Sequence, residues 1–179
     1  MDTIDDITFV NEIDSEVGKL YREAKVALSR DVPQYTLTLS RSVSHMICKK
    51  IAKHNGIELP NDNLSENISI LANHNIINPS MKDAFHELRL LGNKGAHPEE
   101  YPQSHNDFVE EAEQALGLCC ELVSDYKLQF FGGSIPKYQY QYQKVDSDSK
   151  DKELKNLAYK ASIQGEEKSL YDMGMYLKK

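Results

Sequence analysis

An arginine, an asparagine and a histidine recur every four residues near the middle of the chain, with glycines between them. Arg89, Asn93 and His97 belong to one segment, which also contains Gly92 and Gly95. Histidine changes charge near neutral pH, arginine offers a forked donor to phosphate oxygens, and asparagine can orient either group. Residues of these types could bind and cleave a phosphodiester.

The same segment also has a purely structural interpretation. A helix of ordinary pattern would end at Gly92, Asn93 would cap or turn the chain, and His97 would dock on a neighbouring helix. Short motifs of this kind often occur without a function. The residues by themselves leave both interpretations open.

The overall charge limits how the chain could contact nucleic acid. Lysine and arginine together number 21 against 28 aspartates and glutamates, so the net charge is -7. Such a chain does not coat nucleic acid through its overall field, and any RNA or DNA contact must be local. Basic residues at 49, 50, 53 and 54 and near Arg89 and Lys94 could form a local patch, although a solvated helix face explains the first group as well.

The cysteines and the first residues indicate a cytoplasmic protein. Residues 1–6 are acidic and lack the basic and apolar parts of a secretory signal, and no apolar run is long enough to span a bilayer. We therefore expect no membrane partner. The cysteines are odd in number, and we expect Cys48, Cys119 and Cys120 to be reduced thiols in or near the core.

The histidine pattern gives little support for a metal site. Six histidines are present, but none are spaced as His-x-x-x-His, and there is no Cys-x-x-Cys pair. His86 and His97 flank a glycine segment instead of sharing one helical face. We expect no metal and no cofactor.

Apolar periodicity predicts an all-α fold with five helices. Five apolar faces with short connections predict an antiparallel helical bundle, in which Phe85, Leu88, Phe108, Leu116 and Leu122 are buried together. Residues 92–102 are predicted to form a loop because of their glycines and prolines. The predicted helices are 15–29, 33–54, a third from about Leu64, a fourth from Pro79, and 104–126.

The chain divides into four parts by composition. Residues 1–13 are an N-terminal extension, and 14–127 form the bundle. Residues 128–152 contain glycine, proline, a tyrosine-glutamine alternation and then charged residues, which is typical of a linker. Helical periodicity resumes over 153–179.

The stretch from about 15 to 126 resembles the HEPN superfamily of prokaryotic helical bundles, and within it a bacterial domain family of unknown function. Arg41 and His45 stand at its R-x-x-x-E positions, and Arg89, Asn93 and His97 match its R-x-x-G-N-x-x-x-H pattern. His45 replaces the usual Glu. Gly92 stands where active members of the superfamily place the arginine of R-N-x-x-x-H.

This resemblance implies a metal-independent ribonuclease or an RNA-binding descendant of one, in a bacterial defence or stress-response system. In an active homodimer, His97 would be the general base, Asn93 would orient it, and Arg89 would stabilise charge on the phosphate. The implied ligand-binding residues are Arg41, His45 and Lys94.

The end of the chain resembles a different family. Residues 159–176 are similar to the opening of a SEL-type repeat, a relative of the tetratricopeptide hairpin, and such repeats form arrays. This second resemblance implies a protein partner that is bound through helical repeats.

Two hypotheses about function follow. In the first, the bundle binds RNA or another partner without chemistry, and its catalytic motif is degenerate. In the second, it is an active ribonuclease that uses His97, Asn93 and Arg89 across a homodimer. The acidic composition and the glycine at position 92 favour the first hypothesis and leave enzymatic activity undecided.

Overall fold

The computed structural model describes residues 3–141. The repeat predicted at 153–179 and the predicted linker beyond residue 141 lie outside this part of the chain. The all-α fold is confirmed, with six α-helices and one two-stranded parallel sheet among the described residues. In chain order the elements are β1 (Ile4–Asp5), α1 (Asp6–Ile13), α2 (Ser15–Ser29), α3 (Pro33–His54), α4 (Leu64–Asn73), α5 (Pro79–Ala96), a 3-10 helix (Pro98–Glu100), α6 (His105–Phe130) and β2 (Tyr138–Gln139).

The helices begin where capping residues and prolines predict. The Asp14 carboxylate accepts hydrogen bonds from the first backbone N–H groups of α2, and the Asn78 side chain accepts one from Met81 in α5. Pro33 and Pro79 occupy the first turns of α3 and α5, where a missing N–H costs nothing. These local interactions set the starts of the helices before any tertiary contact is considered.

Helix α3 is central to the bundle. It is antiparallel to α2, since the Thr36 hydroxyl donates to the Ala24 carbonyl (3.1 Å) near one end and Lys50 pairs with Asp14 (2.9 Å) near the other. Helix α6 runs parallel to α3, and the ring centroids of His54 and Phe130 are 5.7 Å apart where both helices end. Helix α5 packs antiparallel against α3, with Gly95 beside Gln34 and Gly92 beside Arg41.

The prediction of a loop from residue 92 is wrong, because α5 continues to Ala96. Gly92 and Gly95 are buried within the helix. Their low helix propensity indicated a break, but here the small residues let α5 approach α3 closely. Asn93 and Lys94 therefore project from a helix.

The first residues, placed by the sequence in an extension, belong to the packed fold. Residues 6–13 form α1, and Phe9 and Val10 are fully buried. Strand β1 pairs with β2, and the Phe9 and Tyr138 rings stack with centroids 4.1 Å apart. The described end of the predicted linker is thus packed against the N-terminal helix.

The predicted core is confirmed. Phe85, Leu88, Leu116 and Leu122 are fully buried, and Phe108 is 4% exposed. The apolar stripe of α6 is buried inside the chain from Phe108 to Tyr126. The apolar stripe of α6 therefore packs against the other helices of the same chain.

The cysteines are free and buried, as predicted. Burial raises the pKa of Cys48 and of Cys120 to about 12, and it also raises the pKa of Cys119. A thiol is nucleophilic only as the thiolate, so these three side chains act as core residues.

Truncation of Leu116 to alanine tests the packing of this core. The side chain is fully buried, and its removal leaves a cavity that the neighbouring helices fill only in part. We expect the free energy of unfolding to fall by about 2–5 kcal/mol. Urea denaturation followed by circular dichroism measures the change, and Leu128→Ala on the exposed side of α6 is the matched control. A loss no larger than that of the control would contradict the assigned core.

Within residues 3–141, none of the helices has the length and apolar character that crossing a bilayer requires.

Candidate functional site at the interface of helices 3 and 5

The two glycines of the motif lie directly against α3. A Cβ on Gly92 would lie 2.3 Å from the Cβ of Arg41, and a Cβ on Gly95 would lie 2.4 Å from the carbonyl oxygen of Gln34. Real side chains do not approach so closely. Gly92 therefore allows the Arg41 side chain to lie across the surface of α5.

The register of the two helices aligns the segments that contain four of the predicted residues. Gly95 faces Gln34 and Gly92 faces Arg41, so the helices run antiparallel. One turn further along in this register, the position of His45 on α3 comes opposite the turn of α5 that contains Arg89. Asn93 lies four residues after Arg89 and thus on the same face of α5. We call Arg41, His45, Arg89 and Asn93 the α3–α5 interface.

Two side-chain nitrogen atoms at this interface are buried without a hydrogen-bond partner in the part of the chain that the structure describes. Among residues 3–141, neither Arg89 Nε nor His45 Nε2 makes a hydrogen bond. The salt bridges formed within this part of the chain include neither Arg41 nor Arg89. Buried polar groups in proteins are normally hydrogen-bonded, and an exception requires an explanation such as a ligand or an ion.

The electrostatic environment of the interface is cationic. The pKa of His45 is lowered, first by burial and then by the positive charge of Lys49; the Asp62 carboxylate opposes this shift, and Arg41 adds to it. The pKa of His86 is likewise lowered by burial and by Arg89. Both shifts favour neutral imidazoles beside cationic side chains. A bound anion would reduce the repulsion between these cationic side chains and a protonated imidazole.

The predicted catalytic histidine lies away from this interface. His97 caps the C-terminal end of α5, and its side chain is 58% exposed with Nδ1 3.7 Å from a Glu99 carboxylate oxygen. Eight residues of helix separate it from Arg89, a rise of about 12 Å, and side chains on a helix lean toward its N-terminus. No hydrogen bond or ion pair within residues 3–141 joins Arg89 to His97. The predicted catalytic residues are therefore not assembled within one chain.

Lys94 faces a different neighbour from the other predicted ligand-binding residues. Its ammonium group pairs with the Glu111 carboxylate of α6, which also accepts a hydrogen bond from Gln103 (2.8 Å). A lysine neutralised in this way is poorly placed to bind an anion at the α3–α5 interface. The structure thus separates Lys94 from Arg41 and His45.

Within residues 3–141, three side chains that could ligate a metal lie close together at the end of α5. His97, Glu99 and Glu100 offer ligand atoms within 4.8 Å of one another, and all three side chains are exposed. Exposed acidic groups often lie close together without binding an ion. The two glutamates were not singled out from the sequence, because they follow Pro98 and carry no recognisable ligand spacing.

A buried polar network lies elsewhere in the fold and was not predicted. The Asp6 carboxylate is 2.8 Å from the Lys25 ammonium, and it accepts hydrogen bonds from the Tyr21 hydroxyl (2.6 Å) and the Gln141 backbone N–H (3.2 Å). The Cys120 thiol lies 3.2 Å from the Tyr21 oxygen. Burial raises the pKa of the Tyr21 phenol well above its ordinary value.

The network joins the two ends of the described chain. Lys25 also contacts the Gln141 carbonyl oxygen, and its ammonium group lies 3.6 Å from the centre of the Tyr140 ring. Its polar groups satisfy one another. We assign it a structural role. A periodicity argument does not find it, because Asp6 lies in the segment that composition assigns to an N-terminal extension.

Comparison with known proteins gives one match. The family model described as "Domain of unknown function (DUF4145)" matches residues 22–157, which is most of the chain and includes all four residues of the α3–α5 interface. No curated protein and no solved structure matches.

Proposed function

The chain belongs to the DUF4145 family, a family described only as a domain of unknown function, and from this premise we propose that the α3–α5 interface binds a phosphate group of RNA without cleaving it. Arg41 and Arg89 are the proposed ligands. His45 and Asn93 complete the site as neighbouring hydrogen-bonding groups.

The unpaired Arg89 guanidinium supports the proposal most strongly. Its Nε is buried without a partner in residues 3–141, and a buried donor to which nothing binds costs about 1–3 kcal/mol or more when it is charged. Phosphate oxygens accept the forked donors of arginine with good geometry. A bound phosphate would therefore satisfy a group that the protein itself leaves unsatisfied.

The separation of Arg89 from His97 favours binding over cleavage. A general base must come within hydrogen-bond reach of the proton that it removes, while the stabilising cation contacts the same phosphate. One chain does not bring these two side chains together. Cleavage would require a second copy to supply one of them, and the homodimer remains a prediction.

The resemblance to HEPN proteins supports RNA as the source of the phosphate and suggests a role in bacterial defence or stress response. The partner-binding role of the SEL-type repeat concerns residues outside the described part of the chain. It remains a separate prediction.

Arginine substitutions test the proposed site. We expect Arg89→Ala and Arg41→Ala each to weaken binding of a fluorescein-labelled 20-nucleotide RNA about tenfold or more, because each removes a charge-assisted contact. Fluorescence anisotropy measures the dissociation constant over a series of salt concentrations. Each variant should also reduce the magnitude of the slope of log K against log salt by about 1, because one phosphate contact is lost.

The matched control is Arg22→Ala, which removes the same charge from the exposed face of α2. We expect its affinity to stay within twofold of wild type. Equal losses in all three variants would show only a nonspecific charge effect, and no RNA binding by the wild type would overturn the proposal. Cleavage of the RNA by wild type but not by His97→Ala would instead establish the ribonuclease alternative.

A further inference from the structure

Four basic side chains follow one another along α3, from its interface with α5 to its exposed C-terminal turns. Arg41, His45, Lys49 and Lys53 are spaced every four residues. Residues at this spacing are neighbours on a helix, with Cβ atoms about 5–6 Å apart, and the row extends about 18 Å along the axis. We call these residues the α3 basic row. Its first two members belong to the α3–α5 interface.

A groove runs beside this row. It has a volume of about 510 Å³ and lies between α2 and α3. Leu20 and Met46 supply apolar surface, and three members of the basic row supply polar surface. The groove is lined by Glu16, Leu20, Ser42, His45, Met46, Lys49, Lys50 and Lys53.

The lysines of the row are available to a ligand. Lys49 pairs with Asp62 at 2.6 Å, but their side chains are 52% and 82% exposed. Such exposed pairs contribute little to stability and exchange readily for another anion. Within residues 3–141, Lys53 takes part in no salt bridge. Lys50, by contrast, is bound to both Asp14 and Glu16 and borders the groove without belonging to the row.

An exposed aromatic ring lies beyond the last lysine. Phe131 follows α6 and is 54% exposed. Its ring centroid is 5.8 Å from that of His54, which follows Lys53 in α3, and 5.2 Å from that of Tyr126. The Lys127 ammonium lies 5.8 Å from the Phe131 ring centre. We call Phe131, His54 and Tyr126 the aromatic cluster.

We propose that the α3 basic row and the aromatic cluster form one binding surface for single-stranded RNA, with phosphates along the row and an unpaired base stacked on Phe131. The proposal rests on the phosphate site at the α3–α5 interface and specifies the class of RNA that this site receives. Basic grooves that end on aromatic side chains are the usual means of binding single strands, because every base has a face that can stack.

The chemistry of the surface selects a single strand over a duplex. In a duplex the faces of the bases are already stacked on one another and cannot reach a protein ring. An exposed phenylalanine could by itself receive any apolar group. Its position at the end of a row of cations makes a nucleotide the best match, since a nucleotide presents an anion and an apolar face together.

Substitution of Phe131 tests this binding surface directly. We expect Phe131→Ala to weaken binding of a labelled 20-nucleotide oligouridine roughly fivefold to hundredfold, which is the usual effect of removing a stacking side chain. Phe131→Trp should retain affinity. Leu128→Ala is the matched control, because Leu128 is 49% exposed on the last turns of α6 and should leave affinity within twofold of wild type.

Tryptophan also reports the contact spectroscopically. The chain contains ten tyrosines but no tryptophan, so with excitation at a wavelength that tyrosine does not absorb, the emission of the Phe131→Trp protein comes from that position alone. We expect oligouridine to quench it, and an oligonucleotide of equal length with abasic sites to bind without quenching. A duplex RNA should bind more weakly than oligouridine, and Phe131→Ala should not change its affinity.

The outcomes separate this inference from the proposed function. If Arg89→Ala weakens RNA binding while Phe131→Ala does not, the aromatic cluster plays no part and the single-strand inference is overturned, although the phosphate site stands. The same conclusion follows if oligouridine leaves the Phe131→Trp fluorescence unchanged. If the wild type binds neither oligouridine nor duplex, the proposed function itself fails.

Discussion

Replacement of Asp6 by alanine is expected to lower the free energy of unfolding by about 3–5 kcal/mol, the usual cost of removing one partner of a buried ion pair. Asp6 is 1% exposed and Lys25 is 8% exposed. Without the carboxylate, the Lys25 ammonium keeps its burial but loses its counterion, and the Tyr21 hydroxyl loses its acceptor. Urea denaturation of the full chain measures the loss.

A second set of variants distinguishes the uncompensated charge from a simple loss of packing. The double variant Asp6→Ala/Lys25→Met removes both charges. It should lose less free energy of unfolding than the sum of the losses in the two single variants, because no buried charge is then left unpaired. Asp62→Ala, which breaks the exposed pair with Lys49, is the control and should leave the unfolding midpoint nearly unchanged. Strict additivity in the double variant would contradict the coupling that we assign to Asp6 and Lys25.

Replacement of Gly95 by alanine is expected to destabilise the bundle by about 1–3 kcal/mol, although alanine is the better helix former. The new Cβ would lie 2.4 Å from the Gln34 carbonyl oxygen and 2.7 Å from the Leu37 Cβ. Neither atom can rotate away from the contact, so α3 and α5 must move apart. Thermal and urea denaturation both report the change.

Gly117→Ala is the control for this substitution. Gly117 also lies within a helix, but a Cβ there would meet no atom within 4 Å. The usual gain of about 0.5–1 kcal/mol from replacing a helical glycine should therefore appear without a penalty. Gly92→Ala should resemble Gly95→Ala and should also displace the Arg41 side chain. Stabilisation by alanine at position 95 would show that the two helices are not packed as described.

Local sequence features predicted several helix starts and most of the core correctly. Asp14, Pro33 and Asn78 act within one turn of helix, so their effect does not depend on the rest of the fold. The apolar stripe of α6 from Phe108 to Tyr126 predicted the buried face of that helix for the same reason. A periodicity that repeats over many residues is a strong signal even in one sequence.

The same reasoning failed at Gly92 and Gly95, because glycine has two opposite uses. Glycine ends helices when the chain must turn, and it also allows two helices to approach closely. The composition of the segment is identical in both cases. Only the position of Gln34 and Arg41 across the interface shows which use applies here.

The candidate site was predicted in part. Arg89 and Asn93 were identified from their residue types and spacing, and Arg41 and His45 from the resemblance; the helix register sets the turns that contain them opposite one another. Lys94 and His97 were also identified from the sequence but lie elsewhere, since Lys94 pairs with Glu111 on α6 and His97 lies beyond the last turn of α5. Phe131 was passed over, because an aromatic residue after a helix has no periodicity that would distinguish it.

The sequence by itself determined the helical class, the main helix starts, the buried face of α6 and the burial of the cysteines. Each of these depends on short-range chemistry or on a repeated apolar pattern. The tertiary structure alone decided that α5 continues through its glycines, that Asp6 and Lys25 form a buried pair, and that Phe131 lies beside His54. These features join residues that are far apart in the chain, and such contacts depend on how the helices pack against one another.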